Sequence, residues 1–410
     1  MFGVNPSRPV LRERLFKRKE KPMQENIQQQ VDALFKENNW QGIIDLLKPI
    51  VDAGDHSIDY LRNLGFAYSQ LDQYKNARRY YQIWLQFDPK RPQPYYSIGY
   101  TYYDGQNWEK AIKWFDKALS RFPSYVVCLY RKGVALFMWG KETKAKSVLE
   151  SAISSYKFMR NTDMQKRLAK YYYRSVFYLG KCELALGNFG SARACFEKNL
   201  EDAREYIDPI YVKYNLAYTL VKNRKYDEAE KYLEEITTKY ANKEWIFRLW
   251  GNLLQARGEY RLAIEKYTQA LKIRIQPYIL INRAEAHIKN DDLEYAKQDL
   301  YEALKRDRKA KHKILLRLAG IAMAQEQLTK AEQLAKRAIE FKLKVYEADF
   351  ANAHYFLYKL YEKMGEDEKS FQELEMAQKL FKEWEWENRR PEFDPETMDE
   401  EPRTDELFRL

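Results

Sequence analysis

The chain has 410 residues, with 71 Lys or Arg against 60 Asp or Glu and a formal net charge of +11. Because a single hydrophobic core stops growing at roughly 250 to 300 residues, the length predicts several domains or one repeat array. Charged residues make up 32% and hydrophobic residues 45%, which excludes disorder of the whole chain. The positive charge favours acidic protein segments, anionic lipid or nucleic acid as partners without choosing among them.

Residues 1–23 are predicted to form a basic, flexible N-terminal arm. Residues 1–22 hold seven Arg or Lys and two Glu, and they lack the apolar run of a signal peptide. Val10, Leu11, Leu15 and Phe16 are spaced for one short amphipathic helix, which would dock weakly on an anionic membrane or on a partner. No stretch of the chain has the length of apolar sequence that a membrane-spanning helix needs.

Glycine recurs at a fixed interval in the next part of the chain. Gly65, Gly99 and Gly133 are 34 residues apart. In the clearest unit, which starts at Pro92, small and aromatic residues alternate along two helices: Tyr95, Gly99, Tyr102, Ala111, Phe115, Ala118 and Pro123. Small residues let paired helices approach closely, rings fill the space between them, and proline ends the unit. The pattern resembles the tetratricopeptide repeat, a helix-turn-helix unit of about 34 residues.

An aromatic or Leu residue at a turn, followed three positions later by Ala, marks further units. The pairs are Tyr74 with Ala77, Trp108 with Ala111, Phe189 with Ala192, Tyr226 with Ala229, Tyr260 with Ala263, Leu293 with Ala296, and Leu328 with Ala331. With three weaker units, the repeats begin near residues 24, 58, 92, 126, 173, 210, 244, 277, 312 and 351. The resemblance implies an all-α, right-handed superhelical solenoid of about ten tetratricopeptide-type helix-turn-helix repeats.

One step in this series, from 126 to 173, exceeds a single period by 13 residues. We interpret the excess as longer helices. We therefore predict repeats 1–4 in residues 24–160, and repeats 5–10 in residues 161–387, with longer helices at the start and a capping helix at the end. A hinge between the two arrays is the alternative to one rigid solenoid.

Residues 388–410 are predicted to be an acidic disordered tail. Eight Asp or Glu and two Arg lie between residues 391 and 410, together with Phe393 and Phe408. One hypothesis is that this tail occupies a basic groove and competes with a partner. The alternative is a solvated tail without a binding role.

In the tetratricopeptide family, the first helices of the repeats line a concave groove. The residues at the inward-facing positions of this chain are mostly aromatic or basic: Arg62, Tyr96, Tyr100, Tyr103, Tyr130, Arg131, Phe137, Arg174, Phe177, Tyr178, Lys181, Tyr211, Tyr214, Tyr218 and Arg248. Because Tyr and Arg are enriched at binding hot spots, we predict a partner-binding site for an acidic, partly apolar segment. The alternative is that these rings form the core between helices.

Residues that would carry catalysis are not found in a recognisable pattern. The four histidines lack metal-ligand spacing, and no phosphate-binding or nucleophile motif occurs. Cys128, Cys182 and Cys195 form neither a zinc pattern nor an even disulfide set. We predict no enzymatic activity, no metal and no cofactor, and a reducing, cytoplasmic location.

These observations favour a protein-protein interaction scaffold or adaptor that assembles a larger complex. One alternative is a nucleic-acid-binding helical solenoid, because basic residues with interleaved tyrosines contact phosphates and stack on bases. A regulatory subunit of an enzyme complex is the other alternative, and it has the same fold.

Overall fold

A computed structural model describes residues 26–307 and 309–388, with side-chain surroundings as far as residue 381. The predicted basic arm and all but the first residue of the predicted acidic tail lie outside these ranges. The described residues form twenty α-helices and no strand. The all-α fold class predicted from the sequence is therefore confirmed.

The chain divides into two compact units, Met1–Asp208 and Pro209–Leu410. The helices of the first unit are α1 (26–36), α2 (Trp40–Asp52), α3 (Ile58–Gln70), α4 (Tyr74–Phe87), α5 (Pro92–Asp104), α6 (Trp108–Leu119), α7 (Val126–Met138), α8 (Glu142–Lys157), α9 (Thr162–Ala185) and α10 (Phe189–Asp202). The helices of the second unit are α11 (Pro209–Lys222), α12 (Tyr226–Lys239), α13 (Glu244–Ala256), α14 (Tyr260–Ile273), α15 (Pro277–Lys289), α16 (Leu293–Arg306), α17 (Lys311–Ala324), α18 (Leu328–Tyr346), α19 (Ala351–Met364) and α20 (Asp367–Asn388).

The twenty helices are arranged as ten successive hairpins, and each hairpin turn contains one residue with a positive φ angle. These residues are Asn38, Asp72, Gln106, Gly140, Gly187, Arg224, Gly258, Asp291, Glu326 and Gly365. A residue in the left-handed region ends one helix and reverses the chain within a few residues. Ten such turns match the number of repeats predicted from the sequence.

The two helices of a hairpin pack closely because a small residue on one faces a ring on the other. A Cβ atom at Gly65 would lie 2.3 Å from Cε1 of Tyr81, and one at Gly251 would lie 2.3 Å from Cε1 of Tyr267. The alanines that follow the turns, from Ala77 to Ala331, are fully buried. The structure thus gives the periodic glycines and alanines the packing role that their spacing predicted.

The unit boundary and the predicted domain boundary fall at different places. Residue 160 lies in the loop between α8 and α9, and α9 packs against both α7 and α8. The contacts therefore place α9 and α10 in the first unit, whereas the predicted division at 160 assigns them to the second array. None of the helices in the described ranges has the length and hydropathy to span a bilayer.

Candidate functional site

Three first helices of the first unit bring most of the predicted binding residues together. Helix α7 packs against both α5 and α9. Ten predicted residues lie on these three helices and contact one another in series: Tyr96, Tyr100, Tyr103, Tyr130, Arg131, Phe137, Arg174, Phe177, Tyr178 and Lys181. We call this set the aromatic-basic face.

Arg131 lies at the centre of the aromatic-basic face. Its guanidinium carbon is 4.9 Å from the ring centroid of Tyr100, 5.1 Å from that of Tyr103 and 5.5 Å from that of Tyr130. Each distance is within the range of a cation-π interaction. Its Nε atom is buried and has no hydrogen-bond partner among the described residues. The three rings therefore surround the guanidinium and hold it in place.

The tyrosines of the face also contact one another. Tyr100 stacks on Tyr96 at 5.9 Å and on Tyr103 at 6.0 Å, and Tyr130 meets Tyr178 at 6.2 Å. Burial raises the pKa of Tyr130 to about 12 and also raises the pKa of Tyr100. These hydroxyl groups therefore stay protonated at neutral pH and are available as hydrogen-bond donors.

An acidic group borders the same face. Asp104 ends α5, and burial raises the pKa of its carboxyl group from 3.8 to about 6. The charge of Arg131 and a hydrogen bond with Tyr100 act in the opposite direction but do not cancel the effect of burial. Asp104 is therefore ionised at neutral pH and becomes protonated in mildly acidic solution.

Lys181 belongs to the aromatic layer more than to the open surface. Its side chain lies over three rings, at 5.3 Å from Phe137, 5.8 Å from Phe177 and 5.3 Å from Tyr178. Burial lowers the pKa of its amine well below the usual value. Lys181 is thus a weaker source of positive charge than the sequence suggested.

The predicted residues differ widely in accessibility. Four are buried, namely Tyr130, Lys181, Tyr214 and Arg248, with 4 to 7% of their surface exposed. Arg62 is exposed on α3, where it pairs with Asp59 at 2.9 Å. The other ten are half-buried. The four buried residues pack beneath the surface, whereas the half-buried residues contribute to the surface that a partner would contact. A role in partner binding stays a prediction for all fifteen.

The predicted residues of the second unit form a separate cluster on α11 and α13. Arg248 donates a hydrogen bond from Nη2 to the hydroxyl oxygen of Tyr214 at 2.8 Å. Trp245 packs edge-on against Tyr214, with centroids 4.8 Å apart, and stacks on Tyr211 at 6.1 Å. Arg248 is consequently a packing residue that joins the two helices.

A pocket of about 400 Å³ in the second unit was not predicted, apart from Tyr218 on its wall. Its other polar lining includes Asn252, Gln255, Asn282, Glu285, Lys313 and Arg317. Asn282 donates to Asn252 at 3.1 Å, and Arg317 donates to Glu285 at 2.7 Å. These polar residues recur on successive first helices at spacings of 30 and 32. The prediction from the sequence rested on aromatic and basic residues at the inward-facing positions, so it missed these recurring Asn and Glu residues.

The cysteines and acidic residues of the described ranges are the groups that could act as metal ligands or nucleophiles. Within residues 26–307 and 309–388, no group of three or more His, Cys, Asp or Glu is placed to hold a metal ion. Cys128 and Cys182 are buried, and burial raises the pKa of the Cys182 thiol to about 12. Thiols with a raised pKa are poor nucleophiles.

Comparisons with known proteins match one segment in each unit. Residues 92–125 and residues 210–238 match family models described as tetratricopeptide repeat. No curated protein matches the chain. Among solved structures, a tetratricopeptide repeat protein from Parabacteroides merdae is 14% identical, with 67% of this chain and 98% of that chain covered and a TM-score of 0.47. PilF of Pseudomonas aeruginosa is 20% identical (53% and 91% covered, TM-score 0.43). Yeast Tom70 is 13% identical (89% and 97% covered, TM-score 0.40).

Ten successive helical hairpins, closed by small residues that face large ones, define an all-α repeat protein. Both matched segments lie on such hairpins, since residues 92–125 contain α5 and α6, and residues 210–238 lie within α11 and α12 and their turn. The chain therefore contains tetratricopeptide repeats, with one matched repeat in each unit. The resemblance inferred from the sequence is thereby confirmed.

Proposed function

We propose that this protein is a non-enzymatic scaffold that binds an acidic, partly apolar segment of a partner on the aromatic-basic face and thereby assembles a larger complex. Tetratricopeptide repeats generally serve as protein-interaction scaffolds, and the two family matches support that general role. The observation that carries the finer proposal is the position of Arg131 between three tyrosine rings.

The chemistry of this face suits a carboxylate next to an apolar side chain. A guanidinium that is already oriented loses little entropy when it forms charge-assisted hydrogen bonds with a carboxylate. Arg174 adds a second positive charge beside Tyr130 and Tyr178. The half-buried tyrosines offer ring area and hydroxyl groups, a combination that is enriched at protein interfaces.

The cellular setting belongs to the same proposal. The three cysteines are free thiols, and we infer a reducing, cytoplasmic environment from their number and spacing. A protein that binds other proteins there needs neither a cofactor nor a metal.

A peptide-display selection on the intact protein tests the proposal. We expect the selected peptides to be rich in Asp or Glu together with aromatic or aliphatic residues. The best peptide is then titrated against the wild type, Arg131→Gln, Arg131→Lys and the control Lys132→Gln. Lys132 is on the same helix and pairs with Asp116 at 2.6 Å. Its replacement also removes one positive charge, but Lys132 is not part of the aromatic-basic face.

Arg131→Gln is expected to weaken binding about tenfold or more, since it removes the central charge of the site. Arg131→Lys keeps the positive charge but loses the planar guanidinium that binds a carboxylate through two hydrogen bonds. Its affinity should therefore lie between those of the wild type and Arg131→Gln. Lys132→Gln stays within about twofold of the wild type. Selected peptides without acidic residues, or equal losses for Arg131→Gln and Lys132→Gln, would contradict the proposal.

A further inference from the structure

The two helices that meet at the α8–α9 loop are longer than the other helices of the first unit. Helix α9 has 24 residues, whereas the first helices α3, α5 and α7 have 13 each. The difference corresponds to roughly 16 Å of helix, and it lies at the N-terminal end of α9, ahead of the repeat that begins near residue 173. We call residues 157–170 the α8–α9 projection.

The tip of the α8–α9 projection carries an exposed aromatic ring. Phe158 exposes 85% of its surface, more than any other large hydrophobic side chain in the described part of the chain. Met164, in the first turn of α9, is 43% exposed. Both side chains thus present apolar surface to the solvent.

The loop that carries Phe158 is held by hydrogen bonds and ring stacking within the projection. The amide Nε2 of Gln165 donates to the carbonyl oxygen of Met159 at 2.9 Å. At the base, Tyr156 stacks on Tyr172 with centroids 4.5 Å apart. Folding back of Phe158 onto the helices would require this loop to rearrange.

Positive charge surrounds the apolar tip. Residues 157–170 contain five cationic side chains and one acidic residue, Asp163. The cationic residues are all exposed, and in residues 26–307 and 309–388 none of them forms an ion pair: Lys157, Arg160, Lys166, Arg167 and Lys170. Their charges are thus available to an external anion.

We propose that the α8–α9 projection docks the protein on an anionic lipid surface. An exposed ring with exposed cations around it matches a bilayer interface. There the ring enters the boundary between headgroups and acyl chains, and Lys and Arg remain among the phosphates. The residues of this site differ from those of the aromatic-basic face, so variants can test the two sites separately.

Sedimentation of the full-length protein with lipid vesicles tests the proposal. The vesicles consist of phosphatidylcholine alone or of phosphatidylcholine mixed with phosphatidylglycerol. We expect binding to the anionic vesicles only, with a decrease as salt is raised. Phe158→Ser should lower the partition coefficient roughly tenfold because one ring is no longer buried. Lys166→Gln combined with Arg167→Gln should lower it by a similar factor.

The matched control is a double variant, Trp139→Ser with Lys141→Gln. Trp139 is 43% exposed in the turn between α7 and α8, and Lys141 lies over its ring at 5.8 Å. This pair resembles the projection in composition but lies at the opposite end of α8, so its replacement should leave vesicle binding unchanged. All variants should keep the helical circular dichroism spectrum of the wild type.

Several results would overturn the proposal. They are the absence of binding to anionic vesicles, equal binding to neutral and anionic vesicles, and unchanged binding of Phe158→Ser. The last result would assign lipid binding to another part of the chain. An oligouridylate probe provides a further arm: binding to it that depends on Phe158, without vesicle binding, would assign the projection to nucleic acid. Because peptide binding is measured separately with Arg131→Gln, this proposal and the proposed function fail independently.

Discussion

Asp104 and Arg131 are expected to have opposite effects on an acidic ligand. Asp104 is ionised at neutral pH, and its negative charge repels a carboxylate that approaches Arg131. Because its pKa is raised from 3.8 to about 6, lowering the pH from about 7.5 to about 5.5 protonates it while most carboxylates of a bound peptide stay ionised. We expect peptide affinity to rise about three- to tenfold over this range.

The variant Asp104→Asn tests the role of this carboxyl group. It is expected to bind the acidic peptide at neutral pH as tightly as the wild type does in mild acid, and to lose most of the pH dependence. Calorimetric titration at both pH values measures the effect. An equal pH dependence in wild type and variant would assign the titration to another group.

The contact of Gly251 with Tyr267 leads to a stability prediction. A Cβ atom at Gly251 has no room beside the Tyr267 ring, whereas one at Gly320, in α17 of the same unit, meets nothing within 4 Å. Gly251→Ala should lower the free energy of unfolding by about 1 to 3 kcal/mol. Gly320→Ala should leave it unchanged or raise it by up to about 1 kcal/mol. Urea unfolding compares the two, and equal effects would contradict the packing account.

Sequence spacing predicted the small residues better than it predicted the site. Gly65 and Gly251 face a ring within their own hairpin, where periodicity alone determines the contact. The burial of Tyr130 and Arg248 depends on how closely the first helices of neighbouring repeats approach each other. That distance is set by side chains on several helices, so a fixed offset within one repeat does not reveal it.

At the scale of single elements, His354 on α19 links helix α20 to the loop that precedes α19. Its ring nitrogens lie 2.5 Å from Glu373 and 3.0 Å from Asp349. Burial lowers the pKa of His354, but the hydrogen bonds with Glu373 and Asp349 outweigh it, so the net change is upward. A raised pKa means that this stabilisation is complete below the ordinary histidine value of about 6.5 and is lost as the pH rises through the raised value.

We therefore expect His354→Gln to lower the melting temperature at about pH 6 and to have a smaller effect at about pH 8.5. His56→Gln, at an exposed position in the loop between α2 and α3, is the control. Thermal unfolding followed by circular dichroism provides the measurement. A loss that is the same at both pH values would show that the charged form of His354 contributes nothing.

For the long helices α8 and α9, the sequence predicted the extra length but not the residue at which α9 begins. The excess of 13 residues predicted longer helices, and these helices have 16 and 24 residues. The division predicted at residue 160 falls in the loop between them, but the residue that starts α9 was not predicted. Asn161 determines it, because its side-chain oxygen accepts a hydrogen bond from the backbone nitrogen of Met164 at 2.9 Å. Asn before a helix-compatible run is a capping signal that the sequence does contain.

For the whole molecule, the boundary between Asp208 and Pro209 predicts how the chain can be divided. Fragments 24–208 and 209–388 should each show helical circular dichroism and a cooperative unfolding transition. A fragment 24–160 should be less stable, because one core cluster joins Val134 and Leu149 to Cys182 on α9. If the fragment that ends at 160 were as stable as the one that ends at 208, the boundary predicted from the sequence would be the better one.

The central claim is that the aromatic-basic face is where a partner binds. Hydrogen-deuterium exchange of the full-length protein, with and without the selected acidic peptide, tests it most directly. The account predicts slower exchange in α5, α7 and α9 when the peptide is bound, and no such change in Arg131→Gln at the same peptide concentration. Protection confined to α4, α6 and α8, or to the second unit, would contradict it.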